Sequence, residues 1–208
     1  FRQSNVNIFK QNMSAKLPLI LGSGSVFRRA QLERLGIDFQ TAAPDFDETP
    51  AAGENAADTA LRLAEGKARS LAGRFPAALV IGADQVAWCN DRQLGKPMNV
   101  ANAQQMLRGL SGRKIEFYSA IVLLNTASGR IQRHVDNTSV VMRALTDGQI
   151  ERYLAREPDA VYCAGAAKSE GLGAALLERI DSSDPNALIG LPIFKLVEFL
   201  KNEGVEII

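Results

Sequence analysis

At 208 residues, 46% hydrophobic and 23% charged, the chain is long enough for one packed domain or two lobes sharing a core. Its net charge of +1 argues against a broad nucleic-acid-binding face. One histidine, His134, and two cysteines without metal spacing, Cys89 and Cys163, argue against a His-based triad or metal site and fit a reduced, cytoplasmic setting. No stretch is apolar enough for a membrane-spanning helix.

The opening residues, Phe1–Asn12, are polar and lack a signal-peptide core; they read as a leader, either a cloning remnant or an upstream extension, with Met13 as the natural start. Leu17–Leu21 then reads as a buried strand, and Leu21–Arg29 turns a corner into a helix over Phe27–Leu35 that Gly36 closes. That corner offers backbone able to approach an anion (Gly22, Gly24), two hydroxyls (Ser23, Ser25) and two guanidiniums (Arg28, Arg29) at a helix N-terminus. The same composition also suits an ordinary strand–turn–helix corner.

Asp38–Ala43 reads as a strand and residues 45–53 as an acidic loop. Asn55 caps a helix reaching about Ala72, with Ala57, Leu61, Ala64, Ala68 and Leu71 as its apolar side. Ala78–Gly82 is a second apolar strand, followed at once by Asp84. A loop at Leu94–Pro97, a helix over Ala101–Leu110 and a hairpin of Glu116–Leu124 and Arg130–Arg143 come next. Thr146 and Gln149 form a capping box for a helix to Arg156, the Lys168–Gly173 loop follows, and a helix from Pro192 to Asn202 ends the pattern. Hairpins and crossovers together predict an α/β fold with a mixed sheet.

Asp84 stands where a buried strand is expected to end, the place where open α/β sheets bind ligands, although a turn-capping aspartate reads similarly. Asp45, Asp47 and Glu48 make a second acidic group; joined with Asp84 they suit a hard divalent cation. Lys67 lies in the long helix, and Pro97 stiffens the turn that carries Lys96. Lys168, Ser169 and Glu170 sit among small residues, which suggests close approach of a ligand or of backbone. Cations for phosphates and carboxylates for metal and proton point to oxyanion chemistry. A Walker sequence and a Ser-His-Asp arrangement are absent.

Ser23-Gly24-Ser25-Val26-Phe27-Arg28-Arg29, Asp47-Glu48-Thr49-Pro50, Glu65-Gly66-Lys67-Ala68, Gly82-Ala83-Asp84-Gln85, Gly95-Lys96-Pro97, Leu110-Ser111-Gly112, Ala164-Gly165 and Leu188-Ile189-Gly190-Leu191-Pro192 resemble, in order, the motifs of the Maf family. The resemblance implies a single catalytic domain over residues 13–208 with an elongated, curved mixed β-sheet flanked by helices, and two lobes with a cleft, related to the inosine triphosphate pyrophosphatase fold. It implies a hydrolase that cuts nucleoside triphosphates between the α and β phosphates with a divalent metal (Mg²⁺, Mn²⁺ or Co²⁺). Asp84 matches the proton acceptor, Glu48 a second catalytic carboxylate, and Glu48 with Asp84 the metal site. Ser23, Arg28, Lys67 and Lys96 match the substrate-binding set. A homodimer is implied on the same ground.

Phe27, Gln85 and Glu170 depart from the commoner pattern and resemble the YceF subfamily, which implies 7-methyl-GTP as substrate. The chemistry agrees with that implication. A carboxylate such as Glu170 can accept from both donors on the guanine edge, and a base made cationic by N7 methylation is favoured by a carboxylate and an aromatic face. Phe27 also reads as a core aromatic. The other expectations are a dTTP/UTP or other modified-nucleotide pyrophosphatase, and a regulatory nucleotide binder without turnover. No nucleic-acid or membrane partner is expected.

Overall fold

The computed structural model describes residues 17–49, 51 and 53–208; the expected leader over 1–12 and Met13 lie outside these. Seven strands form one sheet in the order β2-β1-β3-β5-β6-β7, with β4 on the edge of β3. They are β1 (Leu19–Gly22), β2 (Gln40–Ala42), β3 (Leu79–Cys89), β4 (Arg92–Leu94), β5 (Lys114–Asn125), β6 (Ile131–Met142) and β7 (Leu177–Asp181). β1 runs parallel to β2 and β3, and every other pairing is antiparallel, so the sheet is mixed. The helices are α1 (Val26–Glu33), α2 (Ala56–Ser70), α3 (Val100–Leu110), α4 (Asp147–Arg156) and α5 (Ile193–Asn202).

Alternation along β3 sends successive side chains to opposite faces. Val80 and Val86 meet Ala120 and Val122 of β5 beneath the alanines of α2. On the other face, Ile81 and Ala83 join Leu191, Leu196 and Leu200 beside α5. Further along that face, Ala87 and Cys89 join Phe117, Leu107 and Tyr153 under α3 and α4. One long strand therefore belongs to three apolar clusters, one beneath α2 on one face and two, beside α5 and under α3 and α4, along the other.

Two expectations need correction. β3 does not end at Gly82; it continues through Asp84 to Cys89, because Val86 and Ala87 are as apolar and buried as the residues before Asp84. The buried face of α2 is Ala56, Thr59, Ala60, Leu63, Ala64, Lys67 and Ala68, while Ala57 and Leu61 are half-buried. The stripe at Ala56, Ala60, Leu63 and Lys67 has helical spacing, so the helix turns a lysine into its own apolar face. The short β4 and the 3-10 turns between α4 and β7 carry no periodic signal in the sequence.

Candidate active site

β1 accompanies β3 only as far as the pair Gly22–Gly82, and β4 begins at the pair Leu94–Ala87. Between them, Ala83–Val86 has no partner strand on that edge among the described residues, although β5 pairs with all of it on the other. A cavity of about 590 Å³ opens at this gap. Ser23, Phe27, Arg28, Glu48, Lys67, Asp84, Gln85, Lys96 and Glu170, the nine residues to which the resemblance gives catalytic, binding or specificity roles, line it. Because the edge is open, the cavity reaches both Asp84, which faces α2, and Gln85, which faces the opposite side.

On the α2 side, the Lys67 Nζ donates to Asp84 Oδ1 at 2.6 Å and to Glu48 Oε2 at 2.8 Å. Lys67 and Asp84 are 6% and 8% exposed, so each charge is tolerable only because the other answers it. Two glycines allow this approach. A Cβ on Gly82 would run into the Ala64 carbonyl, and one on Gly66 into the Phe46 ring of the acidic loop. Without them α2 would stand away from β3, and the loop carrying Glu48 would stand away from α2. Gly22, which lines the cavity, is also closely packed: a Cβ there would meet Leu71 and the Ile81 carbonyl.

The Ser25 hydroxyl caps α1 by accepting from the Arg28 N–H at 3.4 Å, and Ser23 Oγ accepts from the Ser25 N–H at 3.1 Å. Arg28 Nε donates to the Gly190 carbonyl at 3.1 Å. Gly190 holds a φ of +134°, and a Cβ there would press on the Arg28 side chain. The chain near its end thus aims the guanidinium, a function the sequence left unassigned to Gly190. Burial pulls the Arg28 guanidinium below its ordinary value, against the opposing pull of Asp84 and Glu48. It is a half-buried cation beside the helix N-terminus, which suits capture of phosphate oxygens. Lys96 is exposed at the rim and makes no ion pair among the described residues.

On the far side, Gln85 Nε2 donates to Ser119 Oγ at 2.9 Å and to the Ala187 and Leu188 carbonyls at 3.1 and 2.9 Å. With its nitrogen committed, the amide's oxygen is what remains for a ligand. Ser119 is fully buried and donates to the same Ala187 carbonyl at 2.7 Å; as a small polar residue in an apolar strand it carried no functional signal in the sequence. Phe27 is half-buried rather than a core aromatic, and Glu170 is exposed at the mouth. Burial pushes the Cys163 thiol up to about 11, so this cavity cysteine is a neutral thiol at physiological pH.

The structure does not gather every candidate. Asp47 turns aside to accept from the Thr49 N–H and hydroxyl at 2.9 and 2.6 Å, and neither it nor Asp45 lines the cavity. Arg29 faces outward and pairs with Glu33 one turn on. Among the described residues no cluster of three or more His, Cys, Asp or Glu could hold a metal. Glu48 and Asp84 are two oxygen donors already converging on a cation, the Lys67 ammonium. That pair fits a hard divalent ion whose remaining ligands come from phosphate and water.

The family model described as Maf-like protein matches residues 18–203. A relative from Neisseria gonorrhoeae, named 7-methyl-GTP pyrophosphatase, is 72% identical over 94% of this chain and 100% of its own length. A protein of the same name from Chromobacterium violaceum is 54% identical over 91% of this chain and 98% of its own. Among solved structures, the Ham1 protein of Staphylococcus aureus overlaps 61% of this chain and 72% of its own at 16% identity, with a TM-score of 0.42.

Proposed function

This chain belongs to the Maf-like protein family, and from that premise we propose that it is a 7-methyl-GTP pyrophosphatase. It hydrolyses the α–β phosphoanhydride to 7-methyl-GMP and pyrophosphate. The observation that supports this most is one cavity that gathers the Lys67–Asp84–Glu48 cluster, the Arg28 guanidinium held by Gly190, the exposed Glu170 carboxylate and the Phe27 ring. The relatives' shared name and their near-complete coverage of this chain support the same substrate.

In this reading the triphosphate lies across the N-terminus of α1. Ser23 and Arg28 receive phosphate oxygens, and Lys96 closes on the outer phosphates from the rim. Asp84 accepts the proton from the attacking water. The new P–O bond forms at the α phosphorus, and the bridging oxygen leaves with pyrophosphate, whose negative charge Arg28 and Lys96 offset. Glu48 orients the water, and Lys67 holds both carboxylates in place. A divalent cation held by Glu48 and Asp84, when bound, supplies charge neutralisation and a more acidic water. At the far end, Glu170 accepts from N1–H and the N2 amine of the guanine, Gln85 offers its amide oxygen, and Phe27 faces the cationic ring.

We include in the proposal a cytoplasmic setting, with which the free thiols Cys89 and Cys163 agree, and assembly as a homodimer. Among the described residues no helix is long and apolar enough to cross a membrane. A panel of nucleoside triphosphates with Mg²⁺, Mn²⁺ or Co²⁺ tests the function. The expected result is pyrophosphate, not orthophosphate, released fastest from 7-methyl-GTP and lost on chelation. Preference for dTTP or UTP, or release of orthophosphate alone, contradicts it.

A further inference from the structure

The 168–173 segment, which carries Glu170, is held from the C-terminal end of α4, with which it shares an apolar cluster. Glu157, just past the end of α4, accepts from Lys168 Nζ at 3.0 Å through Oε1 and from the Leu172 N–H at 3.0 Å through Oε2. The Tyr153 hydroxyl accepts from the Lys168 N–H at 3.0 Å, one turn earlier on α4. Gly171 and Gly173 have no room for a side chain: a Cβ would meet Glu157 Oε2 and the Lys168 backbone, each at 2.5 Å. One carboxylate therefore grips both ends of a tight turn with Ser169 and Glu170 at its tip.

The same Lys168 ammonium stands over the Phe27 ring, 5.9 Å from its centroid. It reaches from its own loop to a residue of α1. A free lysine at that spot would repel a cationic base. Here Glu157 answers its charge at 3.0 Å, with Asp159 a further 3.8 Å neighbour. Lys168 and Glu157 side chains are only 19% and 15% exposed, so solvent screens the pair little.

We propose that Glu157 is a positioning residue for substrate choice: through Lys168 and the Leu172 N–H it sets the Glu170 turn and cancels the lysine charge, leaving the far end of the cavity net negative toward a methylated, cationic guanine. The ligand part of this rests on the function proposed above; the positioning part does not. Hydrogen bonding from Leu172 and Lys168 also holds the Glu157 carboxyl below its ordinary value, as expected of a carboxylate kept charged for this purpose.

Glu157→Gln keeps the shape and removes the charge. In the free protein, hydrogen exchange of the amides from 169 to 173 is expected to quicken about tenfold while β3 stays protected. Unchanged exchange there overturns the positioning role without reference to any substrate. With substrate, KM for 7-methyl-GTP is expected to rise about tenfold at nearly constant kcat, and KM for GTP, whose base is neutral, to move less than about threefold. The double variant Glu157→Gln with Lys168→Met removes the stranded charge and is expected to recover most of the lost discrimination. Equal KM changes for both nucleotides, or no recovery in the double variant, overturn the charge-cancelling role. A wild-type enzyme without preference for 7-methyl-GTP sinks the proposed substrate instead, and leaves the exchange result standing.

Discussion

On the α2 side of β3, Lys67 and Asp84 are buried and joined at 2.6 Å; at the mouth of the same cavity, Glu170 is exposed, with the Ser169 hydroxyl 3.4 Å away as its near partner. The first arrangement is organised before substrate arrives: charges are paired, the helix is seated on the sheet, and little must reorganise when the phosphate chain enters. The second holds the carboxylate proposed to read the base out on a turn, anchored at its base by Glu157 but open at its tip. The difference suits the two tasks. Bond cleavage needs fixed charges in a dry site, whereas choosing a base needs unpaired groups that a ligand alone can satisfy.

The comparison breaks most sharply at Asp84. Asp84→Asn keeps the side chain's size and removes the charge and the proposed proton acceptor, so kcat is expected to fall by about a thousandfold with the preference among bases retained. Steady-state pyrophosphate release measures this, and near-normal turnover removes Asp84 from the chemistry. Arg28→Ala leaves the Gly190 carbonyl without its guanidinium and, in the proposed mechanism, the phosphates without one of their cations. A loss of about a hundredfold in kcat/KM is expected, shared equally by methylated and ordinary nucleotides.

Gly82→Ala tests whether the buried end depends on close packing. The added methyl meets the Ala64 carbonyl and, at 2.9 Å, the Ala68 Cβ. Overpacking of this kind is expected to cost about 1–3 kcal/mol in chemical unfolding and to weaken turnover by displacing Lys67. The smallest effect lies on the outer side of α2. There Arg133 and, secondarily, Arg69 hold the Glu65 carboxyl down to about 2 from an ordinary 4.5. A depressed acid stabilises the fold above its unfolded value and loses that contribution as pH falls from about 4.5 through about 2. Thermal melts of Glu65→Gln are expected to show a lower Tm at neutral pH and a flatter decline over that acid range, with activity at neutral pH little changed.

Much of this cavity was legible in the sequence because its chemistry is local. Ser25 caps the helix that starts beside it, and Arg28 follows within one turn, so the corner declares itself without tertiary information. Lys67 was legible as a residue but not as a buried one. Its place in the apolar face appears only when the stripe is drawn through Ala56, Ala60 and Leu63 rather than Ala57 and Leu61. Asp84 was found for an incomplete reason: it does not end a strand but sits at the point where the neighbouring strand gives out, which depends on pairing between distant segments. Gly190, Ser119 and Glu157 act over sequence separations that no periodicity reports, through a carbonyl, a hydroxyl and a turn. Asp47 misled because an acidic loop residue satisfied by its own backbone looks in sequence like one facing a metal.

The claim that one cavity divides reaction from recognition is tested most directly by Glu170→Gln. The ratio of kcat/KM for 7-methyl-GTP over GTP, read as pyrophosphate release with a divalent metal present, is expected to drop about 10- to 100-fold while kcat on either substrate stays within about threefold of wild type. An unchanged ratio, or a fall in kcat with the ratio intact, would mean that the exposed carboxylate does not read the base and that the division is not there.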